Sequence, residues 1–392
     1  MFIERKLSKA IQRLGDKFPI LAVTGPRQSG KTTLLKNIFP DYQYITLENP
    51  NIRERALTDP VSFLKTYSNR IIFDEIQQAP QLFSYLQTKV DNDQQMGQFV
   101  LSGSQNFQLL ENITQSLAGR VALFQLMPFG FDELDSSQQL LTAWHQAAYQ
   151  GFYPAIFDRK IDPADYYRNY IETYIERDVR QLVNVRDLRL FRLFLKYCAG
   201  HAGQMLNLQK IANEVGISQP TAQAWLSVLE TSYITFSLPP FYQNFNKRLV
   251  KTPKLYFYDT GLVCYLLEMN RPADLDSYYQ RGAIFENLMI AELHKEQMHN
   301  YQKQQLYFWR DNNQLEVDVL YEHLNNLYIA EIKSSETIHS SYFKNMQKFS
   351  KISEGKNAML SLIYGGEESY HHLDTHIIAW KDAGKYLTIN SQ

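Results

Sequence analysis

Short, largely apolar segments alternate with polar ones over the first third of the chain, at residues 20–24, 70–75, 99–102 and 121–126. An apolar run of about four to eight residues, bounded by polar or glycine-rich segments, is typical of a strand buried in a sheet. After the first run, residues 32–39 end before Pro40 and predict a helix. This alternation predicts an α/β domain with a parallel sheet over residues 1–135.

A glycine-rich segment joins the first predicted strand to the first predicted helix. Residues 25–32 have the sequence GPRQSGKT, which follows the pattern G-x-x-x-x-G-K-T. Its glycines let backbone N–H groups wrap a phosphate chain, and the helix N-terminus adds a partial positive charge. We expect Lys31 to reach the β- and γ-phosphates and to act in catalysis, and the Thr32 hydroxyl to bind Mg²⁺. The alternative, a glycine-rich turn without a ligand, is disfavoured by the strand–loop–helix context. The loop residues predicted to bind the nucleotide are Gly25, Pro26, Arg27, Gln28, Ser29, Gly30, Lys31, Thr32 and Thr33.

Two adjacent carboxylates end the second predicted strand. Asp74 and Glu75 follow the apolar residues 71–73. Phosphoryl transfer needs a metal-binding group and a water-orienting group at the same edge of the sheet as the phosphate loop. We therefore expect Asp74 to hold Mg²⁺ and Glu75 to polarise the attacking water. An acidic cap at a strand–helix junction is the alternative interpretation.

The third and fourth predicted strands carry three further candidates. Ser104 and Gln105 follow residues 99–102, and the carboxyl ends of parallel strands are where α/β sheets place ligands. We expect these two side chains to sense the γ-phosphate or to position water, although a simple turn is equally compatible with them. Arg120 precedes residues 121–126 and is a catalytic candidate that would stabilise developing charge, or else solvates a strand end.

The middle of the chain has helical periodicity from residue 136 to about residue 205. Residues 208–229 then follow a helix-turn-helix pattern, in which Gly216 permits the tight turn. The alternating segment 233–238 predicts a wing strand. We therefore expect a helical and winged-helix domain over residues 136–254.

Basic residues are missing from positions 211–246, which include the second predicted helix of that motif. Lysine and arginine contacts to phosphate supply much of the affinity for nucleic acid, so the pattern favours packing over DNA recognition. A basic and aromatic segment follows, and it predicts either a nucleic-acid contact or a solvated loop. Its candidate residues are Lys247, Arg248, Lys251 and Lys254.

Carboxylates recur at three places in the last third of the chain. Glu286 lies near the start of an apolar-periodic helix, Asp318 lies in a predicted strand, and Glu331 and Lys333 lie in the next one. Side chains alternate along a strand, so Glu331 and Lys333 share a face, and a hairpin lets Asp318 share it too. Converging carboxylates and a lysine predict a site for a divalent metal that activates water. A merely charged hairpin face is the alternative.

Composition and charge narrow the class of protein. The chain has 392 residues, of which 44% are hydrophobic, with 40 basic and 41 acidic residues and a net charge of −1. No overall positive field attracts nucleic acid, so any such binding needs a local patch. The two cysteines exclude a disulfide framework. With no long apolar run and a charged N-terminal segment, we expect a cytoplasmic protein without a membrane partner.

The first four strand-associated motifs together resemble those of AAA-type ATPases. Residues 25–32 resemble Walker A, 70–75 Walker B, 99–106 sensor 1, and 116–120 the arginine-bearing segment. More narrowly, the chain resembles a bacterial and archaeal AAA subfamily with an uncharacterised carboxy-terminal domain. The resemblance implies ATP hydrolysis with Mg²⁺, and a parallel sheet in which the Walker B strand is separated from the phosphate-loop strand.

The last third resembles the PD-(D/E)XK nuclease superfamily. Glu286 matches its helix glutamate, Asp318 its strand aspartate, and Glu331 and Lys333 its E-x-K motif. The resemblance implies an α/β nuclease-like domain, which we place at residues 255–392, with a second divalent metal. The whole chain is then predicted to be an α/β multidomain protein of three domains.

Three functional hypotheses remain open. In the first, the protein is an ATP-dependent switch or motor whose nuclease-like domain handles nucleic acid. In the second, it is a nucleotide-gated scaffold that binds a protein, or a second copy of itself, and cuts nothing. In the third, it is a metal-dependent DNA endonuclease licensed by ATP.

Overall fold

The computed structural model describes residues 2–104, 116–176, 187–241, 251–303, 305–353 and 356–391. The predictions for Gln105, Lys247 and Arg248 lie outside these residues. Contacts divide the chain into two units. The first contains the residues up to Phe129 together with Thr231–Tyr233 and Met298–Gln302, and the second contains the others. The division into three domains stays a prediction.

A five-stranded sheet forms the centre of the first unit. Its strands run parallel in the order β2-β3-β4-β1-β5. They are β1 (Ile20–Thr24), β2 (Gln43–Thr46), β3 (Ile71–Asp74), β4 (Phe99–Ser102) and β5 (Val121–Gln125). Strand β4 therefore separates β1 from β3, which is the arrangement of a P-loop NTPase sheet that the resemblance implies.

Alternating residues of β1 enter two different apolar clusters. Ile20 and Ala22 belong to one cluster, whereas Leu21 and Val23 belong to the other. Both faces of the strand are thus buried, as expected for a parallel sheet covered by helices. The helices described in this unit include α1 (Leu7–Gly15), α2 (Lys31–Ile38), α3 (Pro50–Thr58), α4 (Pro60–Thr66) and α5 (Leu82–Asp93), with a 3₁₀ turn at Ile76–Gln78.

The second unit begins with short helices. They are α6 (Phe131–Ser136), α7 (Trp144–Gln150), α8 (Pro154–Arg159) and α9 (Pro163–Tyr170), followed by a π-helical turn at Ile171–Ile175. Proline at the first turn of α8 and α9 costs no hydrogen bond, because the first N–H groups of a helix have no partner within it. The structure thus has helices in part of the segment for which helical periodicity is predicted.

Three helices and a small antiparallel sheet follow. They are α10 (Leu188–Gly200), β6 (Gln204–Met205), α11 (Leu208–Val215), α12 (Gln219–Thr231), β7 (Thr235–Leu238) and β8 (Lys254–Phe257), with the sheet order β6-β8-β7. Gly216 has φ of 80° at the end of α11, where the predicted turn lies. Trp225 of α12 packs its ring against Phe191 and Phe194 of α10. Because β8 pairs with β7, this sheet extends past residue 254.

A mixed six-stranded sheet dominates the rest of the second unit. The helices are α13 (Thr260–Leu266), α14 (Asp274–Ser277), α15 (Arg281–His299) and α16 (Lys344–Ile352), with 3₁₀ segments at Ser340–Phe343 and Trp380–Ser391. The strands are β9 (Tyr307–Arg310), β10 (Glu316–His323), β11 (Asn326–Lys333), β12 (Asn357–Tyr364), β13 (Tyr370–His372) and β14 (Thr375–Ala379). Their order is β13-β14-β12-β11-β10-β9; β10 pairs antiparallel with β9 and β11, and β12 pairs parallel with β11 and β14. None of the described helices is both long enough and apolar enough to cross a bilayer.

Candidate functional site

The glycine-rich loop lies between the carboxyl end of β1 and the start of α2. Gly25 has φ of 145° and Gly30 has φ of 92°, which are conformations that residues with a Cβ rarely adopt. A Cβ placed on Gly25 would lie 2.1 Å from the carbonyl oxygen of Leu126. The loop can therefore have its shape only with glycine at this position.

Lys31 is buried against this loop. It is the first residue of α2 and is only 7% exposed. Its Nζ donates hydrogen bonds to the carbonyl oxygens of Gly25 at 3.0 Å and Pro26 at 2.8 Å. The ammonium thus lies across the opening of the loop, close to the backbone that is predicted to bind phosphate.

The other predicted loop residues differ in exposure. Pro26, Arg27 and Ser29 are buried, Gln28 is half-buried, and Thr33 is exposed. Among the described residues, the buried hydroxyl of Ser29 has no hydrogen-bond partner. An unsatisfied buried hydroxyl costs free energy, so a phosphate oxygen would be a favourable acceptor for it.

Asp74 is held by three hydroxyl groups. Its Oδ2 accepts hydrogen bonds from Thr32 Oγ1 at 2.9 Å and from the Tyr44 hydroxyl at 2.6 Å. Its Oδ1 accepts one from Ser102 Oγ at 2.6 Å. Burial and the hydrogen bond to Asp74 raise the pKa of Tyr44, which keeps that phenol protonated as a donor. The structure therefore brings together Thr32 and Asp74, the two predicted Mg²⁺ ligands.

Glu75 lies next to Asp74 with a left-handed backbone conformation, φ 54°. Its carboxylate accepts a hydrogen bond from the Gln77 side chain and another from Ser104 Oγ at 3.3 Å. The strain of a positive φ in a residue other than glycine is common where a side chain is aimed at a site. Glu75 and Ser104, both predicted site residues, are thus in contact.

Arg120 lies at the amino-terminal ends of the parallel strands, whereas the loop lies at their carboxyl ends. This corrects the predicted place of Arg120 near the phosphates. Its carbonyl accepts a hydrogen bond from the Ile20 N–H at the amino end of β1. The five residues of β1 separate this edge from Gly25 by about 16 Å. The guanidinium instead forms an ion pair with Asp91, which raises the pKa of Arg120. A residue that precedes a parallel strand lies away from the edge where ligands bind.

Two residues that were not predicted from the sequence form hydrogen bonds with the loop or with the residue before it. Arg5, 4% exposed, donates to the carbonyl oxygens of Ser29 at 2.9 Å and Met127 at 2.6 Å. The buried Tyr233 hydroxyl lies 2.8 Å from the Thr24 hydroxyl, immediately before Gly25. Neither residue has a sequence signal, because only the folded chain brings residues 5 and 233 to the loop.

A second cluster of charged residues lies in the second unit, at one end of β8. Lys254 Nζ is 2.8 Å from Glu286 Oε1 and 2.5 Å from Glu316 Oε1. The Tyr256 hydroxyl also donates to Glu286 Oε1, at 2.6 Å. Burial lowers the pKa of Lys254, but Glu286 and the other nearby acidic groups outweigh it and raise this pKa well above its usual value. Lys254 is therefore a buried cation.

The remaining predicted nuclease-like residues join this cluster. Asp318 Oδ2 accepts hydrogen bonds from Lys333 Nζ at 3.1 Å and from the Ile332 N–H at 2.8 Å. Lys333 Nζ also donates to Glu331 Oε2 at 2.6 Å. Burial and the nearby Asp318 charge raise the pKa of Glu331 to about 9. The structure thus brings Glu286, Asp318, Glu331 and Lys333 into one cluster.

Of the candidate nucleic-acid contacts, only Lys251 and Lys254 lie within the described residues. Lys251 is exposed, but Lys254 is only 3% exposed and is bound to two glutamates. Its predicted place in an exposed basic loop is therefore corrected: β8 begins at this residue and is buried along its length. The adjoining apolar residues 255–258 were the signal that could have indicated this.

A metal site built of several carboxylates or imidazoles is not present in the part of the chain that the structure describes. No group of three or more His, Cys, Asp and Glu side chains there has a suitable arrangement. The pair Thr32 and Asp74 is of another kind, because a phosphate-bound Mg²⁺ needs few protein ligands. A hydroxyl and a carboxylate 2.9 Å apart fit that role.

Three segments of the chain match known protein families. Residues 17–135 match the family model of an AAA domain. Residues 141–273 and 281–382 match two families described as domains of unknown function, DUF8612 and DUF4143. The chain is 30% identical over 396 residues to uncharacterized protein Rv2008c of Mycobacterium tuberculosis, covering 100% of this chain and 86% of the relative. Uncharacterized protein Mb2031c of Mycobacterium bovis matches with the same values.

Two solved structures are among those to which the chain is similar. The Walker-type ATPase of Pyrococcus abyssi has a TM-score of 0.44 at 14% identity, covering 68% of this chain and 96% of that chain. AMPPCP-bound DnaA from Aquifex aeolicus has a TM-score of 0.31 at 15% identity, covering 57% of this chain and 85% of that chain.

Proposed function

The chain belongs to the family of the uncharacterized mycobacterial protein Rv2008c, residues 17–135 form a P-loop AAA ATPase domain, and from this premise we propose an ATP- and Mg²⁺-dependent switch. In this proposal, nucleotide binding and hydrolysis in the first unit control a carboxy-terminal region that engages a partner. The partner favoured by the nuclease-like residues is nucleic acid.

The observation that carries the proposal is the contact between Thr32 and Asp74 beside Lys31. Thr32 Oγ1 and Asp74 Oδ2 are 2.9 Å apart although 42 positions separate them in the sequence. Thr32 would bind the metal directly and Asp74 would hold it directly or through water, and Mg²⁺ would neutralise phosphate charge. Lys31 would exchange its two carbonyl acceptors for phosphate oxygens.

Glu75 is the group proposed to orient the attacking water. It follows the metal-binding Asp74 directly, and Ser104 Oγ is 3.3 Å from its carboxylate. Ser104 would respond to an approaching γ-phosphate by exchanging its hydrogen bond to Glu75 for a hydrogen bond to a phosphate oxygen. Hydrolysis would then depend on release of Glu75 from Ser104 and Gln77.

The order of elements supports the proposed identities of the later regions. The succession α10, β6, α11, α12, β7 and β8 agrees with a winged helix. The succession α15, β9, β10, β11, α16 and β12, with β11 parallel to β12, agrees with a nuclease-like core. In the proposed switch, the winged helix would change its packing when ATP is hydrolysed, and the nuclease-like region would bind the partner.

The test of ATP hydrolysis uses the full chain and three variants. We expect Lys31→Ala to lose Mg-ATP binding in calorimetry, and Glu75→Gln to bind Mg-ATP but release phosphate at least about 100-fold more slowly. The exposed Lys17→Ala is the matched control and should behave as wild type. Full turnover in Glu75→Gln would remove that residue from the mechanism, and no binding of any nucleoside triphosphate by wild type would refute the proposal.

A second candidate function, a nucleotide-gated scaffold that cuts nothing, is favoured by the ion pairs of Lys254. One of these pairs occupies Glu286, a carboxylate of the predicted nuclease-like site, and the other occupies Glu316, which is outside that predicted set. Incubation with plasmid and linear DNA, ATP and Mg²⁺ or Mn²⁺ separates the switch, the scaffold and the endonuclease. Cleavage lost in Asp318→Ala and Lys333→Ala would indicate a nuclease, and ATPase stimulation by DNA without cleavage would indicate the switch. The absence of both responses would favour the scaffold.

A further inference from the structure

Lys254 is the cation at the centre of the carboxylate cluster in the second unit. Its side chain is 3% exposed, and its Nζ contacts a glutamate on a helix, Glu286, and a glutamate on a strand, Glu316. These two carboxylates are 30 positions apart in sequence, and the ammonium joins α15 to β10. A divalent ion bound to the same carboxylates would perform the same bridging.

The cluster has nearly as many cations as carboxylates. Its acidic members are Glu286, Glu316, Asp318 and Glu331, and its basic members are Lys254, Arg310 and Lys333. Arg310 is 2.8 Å from the second oxygen of Glu316, and Lys333 bridges Asp318 and Glu331. Each carboxylate therefore already has at least one cationic partner from the chain itself.

A divalent ion would have to displace one of these partners. Mg²⁺ needs oxygen ligands at about 2.1 Å in an octahedral arrangement and loses its water reluctantly. Displacing Lys254 would leave a buried ammonium without its counter-charges, which is strongly unfavourable. Keeping it would place two like charges within a few ångströms in a region of low dielectric constant.

We propose that the Lys254 ammonium takes the place of a divalent metal in this cluster, so that the carboxy-terminal region binds its partner without metal-dependent cleavage. This inference rests on the proposed function in one respect: the nuclease-like identity is the reason to expect a divalent metal at this cluster. It selects the switch or the scaffold over the endonuclease.

The test is a titration of the full chain with Mn²⁺ alone, followed by electron paramagnetic resonance of the free ion. Nucleotide is left out, so that no phosphate-bound metal contributes at Thr32 and Asp74. We expect wild type and Asp318→Asn to bind Mn²⁺ equally, because the cluster takes none in either. Lys254→Met should gain one Mn²⁺ site, and the added change Asp318→Asn should abolish it. The exposed Lys348→Met, on α16, is the matched control and should bind as wild type.

A Mn²⁺ site in wild type that disappears in Asp318→Asn would overturn the inference. This comparison of wild type with Asp318→Asn tests the inference even if Lys254→Met fails to fold. A Lys254→Met variant that folds, as judged by circular dichroism, and gains no site would also overturn it. Neither outcome bears on ATP hydrolysis, which is measured separately with Lys31→Ala, so failure of the inference and failure of the proposed function are distinguishable.

Discussion

Replacing Arg5 with alanine tests whether the phosphate loop depends on support from outside its own sequence. Arg5 donates one hydrogen bond to the Ser29 carbonyl, inside the loop, and one to the Met127 carbonyl, outside it. Its guanidinium also lies 4.7 Å from the centre of the Phe129 ring. Because the side chain is buried, its removal leaves two carbonyl groups without this donor.

The size of the effect follows from these two bonds. A hydrogen bond from a charged donor contributes about 1.5–3 kcal/mol, so we expect a loss of about 3–6 kcal/mol in unfolding free energy. Only the bond to Ser29 orders the loop. If the loop needs the whole free energy of this hydrogen bond in order to bind ATP, the affinity for ATP falls roughly 10- to 150-fold in Arg5→Ala.

Two measurements separate these effects. Urea denaturation gives the stability of Arg5→Ala, and titration with a fluorescent ATP analogue gives its affinity at a temperature where the variant is fully folded. Arg5→Lys keeps the charge but cannot bind two carbonyls in a planar fork, so it should fall between wild type and alanine. The exposed Arg13→Ala, on α1, is the control. Unchanged ATP affinity in a destabilised Arg5→Ala would refute the reasoning, because Arg5 would then only support the fold.

Three further predictions concern single side chains. Tyr233→Phe removes a buried hydroxyl with two hydrogen-bond partners and should cost about 1–3 kcal/mol in urea denaturation, whereas the exposed Tyr85→Phe should cost nothing measurable. Gly25→Ala should abolish Mg-ATP binding in calorimetry, since its Cβ would overlap the Leu126 carbonyl; retained binding would show that the loop has another shape. Glu331 has a folded-state pKa of about 9, raised above its ordinary 4.5, so its contribution to stability is complete below pH 4.5 and is lost as pH rises towards 9. Glu331→Gln should therefore flatten this part of the stability–pH curve, and an unchanged slope would contradict the raised pKa.

The phosphate loop could be predicted because its chemistry is local. Gly25 to Thr32 are contiguous, and the strand before them and the helix after them have patterns of their own. The side chains that complete the site, Asp74 and Glu75, could be predicted because they end another strand of the same parallel sheet. The topology that places β4 between these strands came from the resemblance to AAA-type ATPases.

Residues that act across long separations could not be found in this way. Arg5 and Tyr233 reach the loop only through tertiary packing, and no local pattern distinguishes them from other arginines and tyrosines. Arg120 is a different case, since the direction of a parallel strand already places its first residue away from the ligand edge. Lys254 resembled its basic neighbours in sequence, but the strand that it begins is buried.

The discontinuity of the first unit has a consequence for the order in which the protein matures on the ribosome. Besides the residues up to Phe129, this unit contains Thr231–Tyr233 and Met298–Gln302. The ring of Tyr301 packs 4.9 Å from that of Phe124 on β5. During synthesis, the sheet therefore lacks part of its packing until residues 298–302 have emerged. Completion of the nucleotide-binding unit is thereby tied to translation of the later regions, and a fragment that ends soon after β5 would be incomplete.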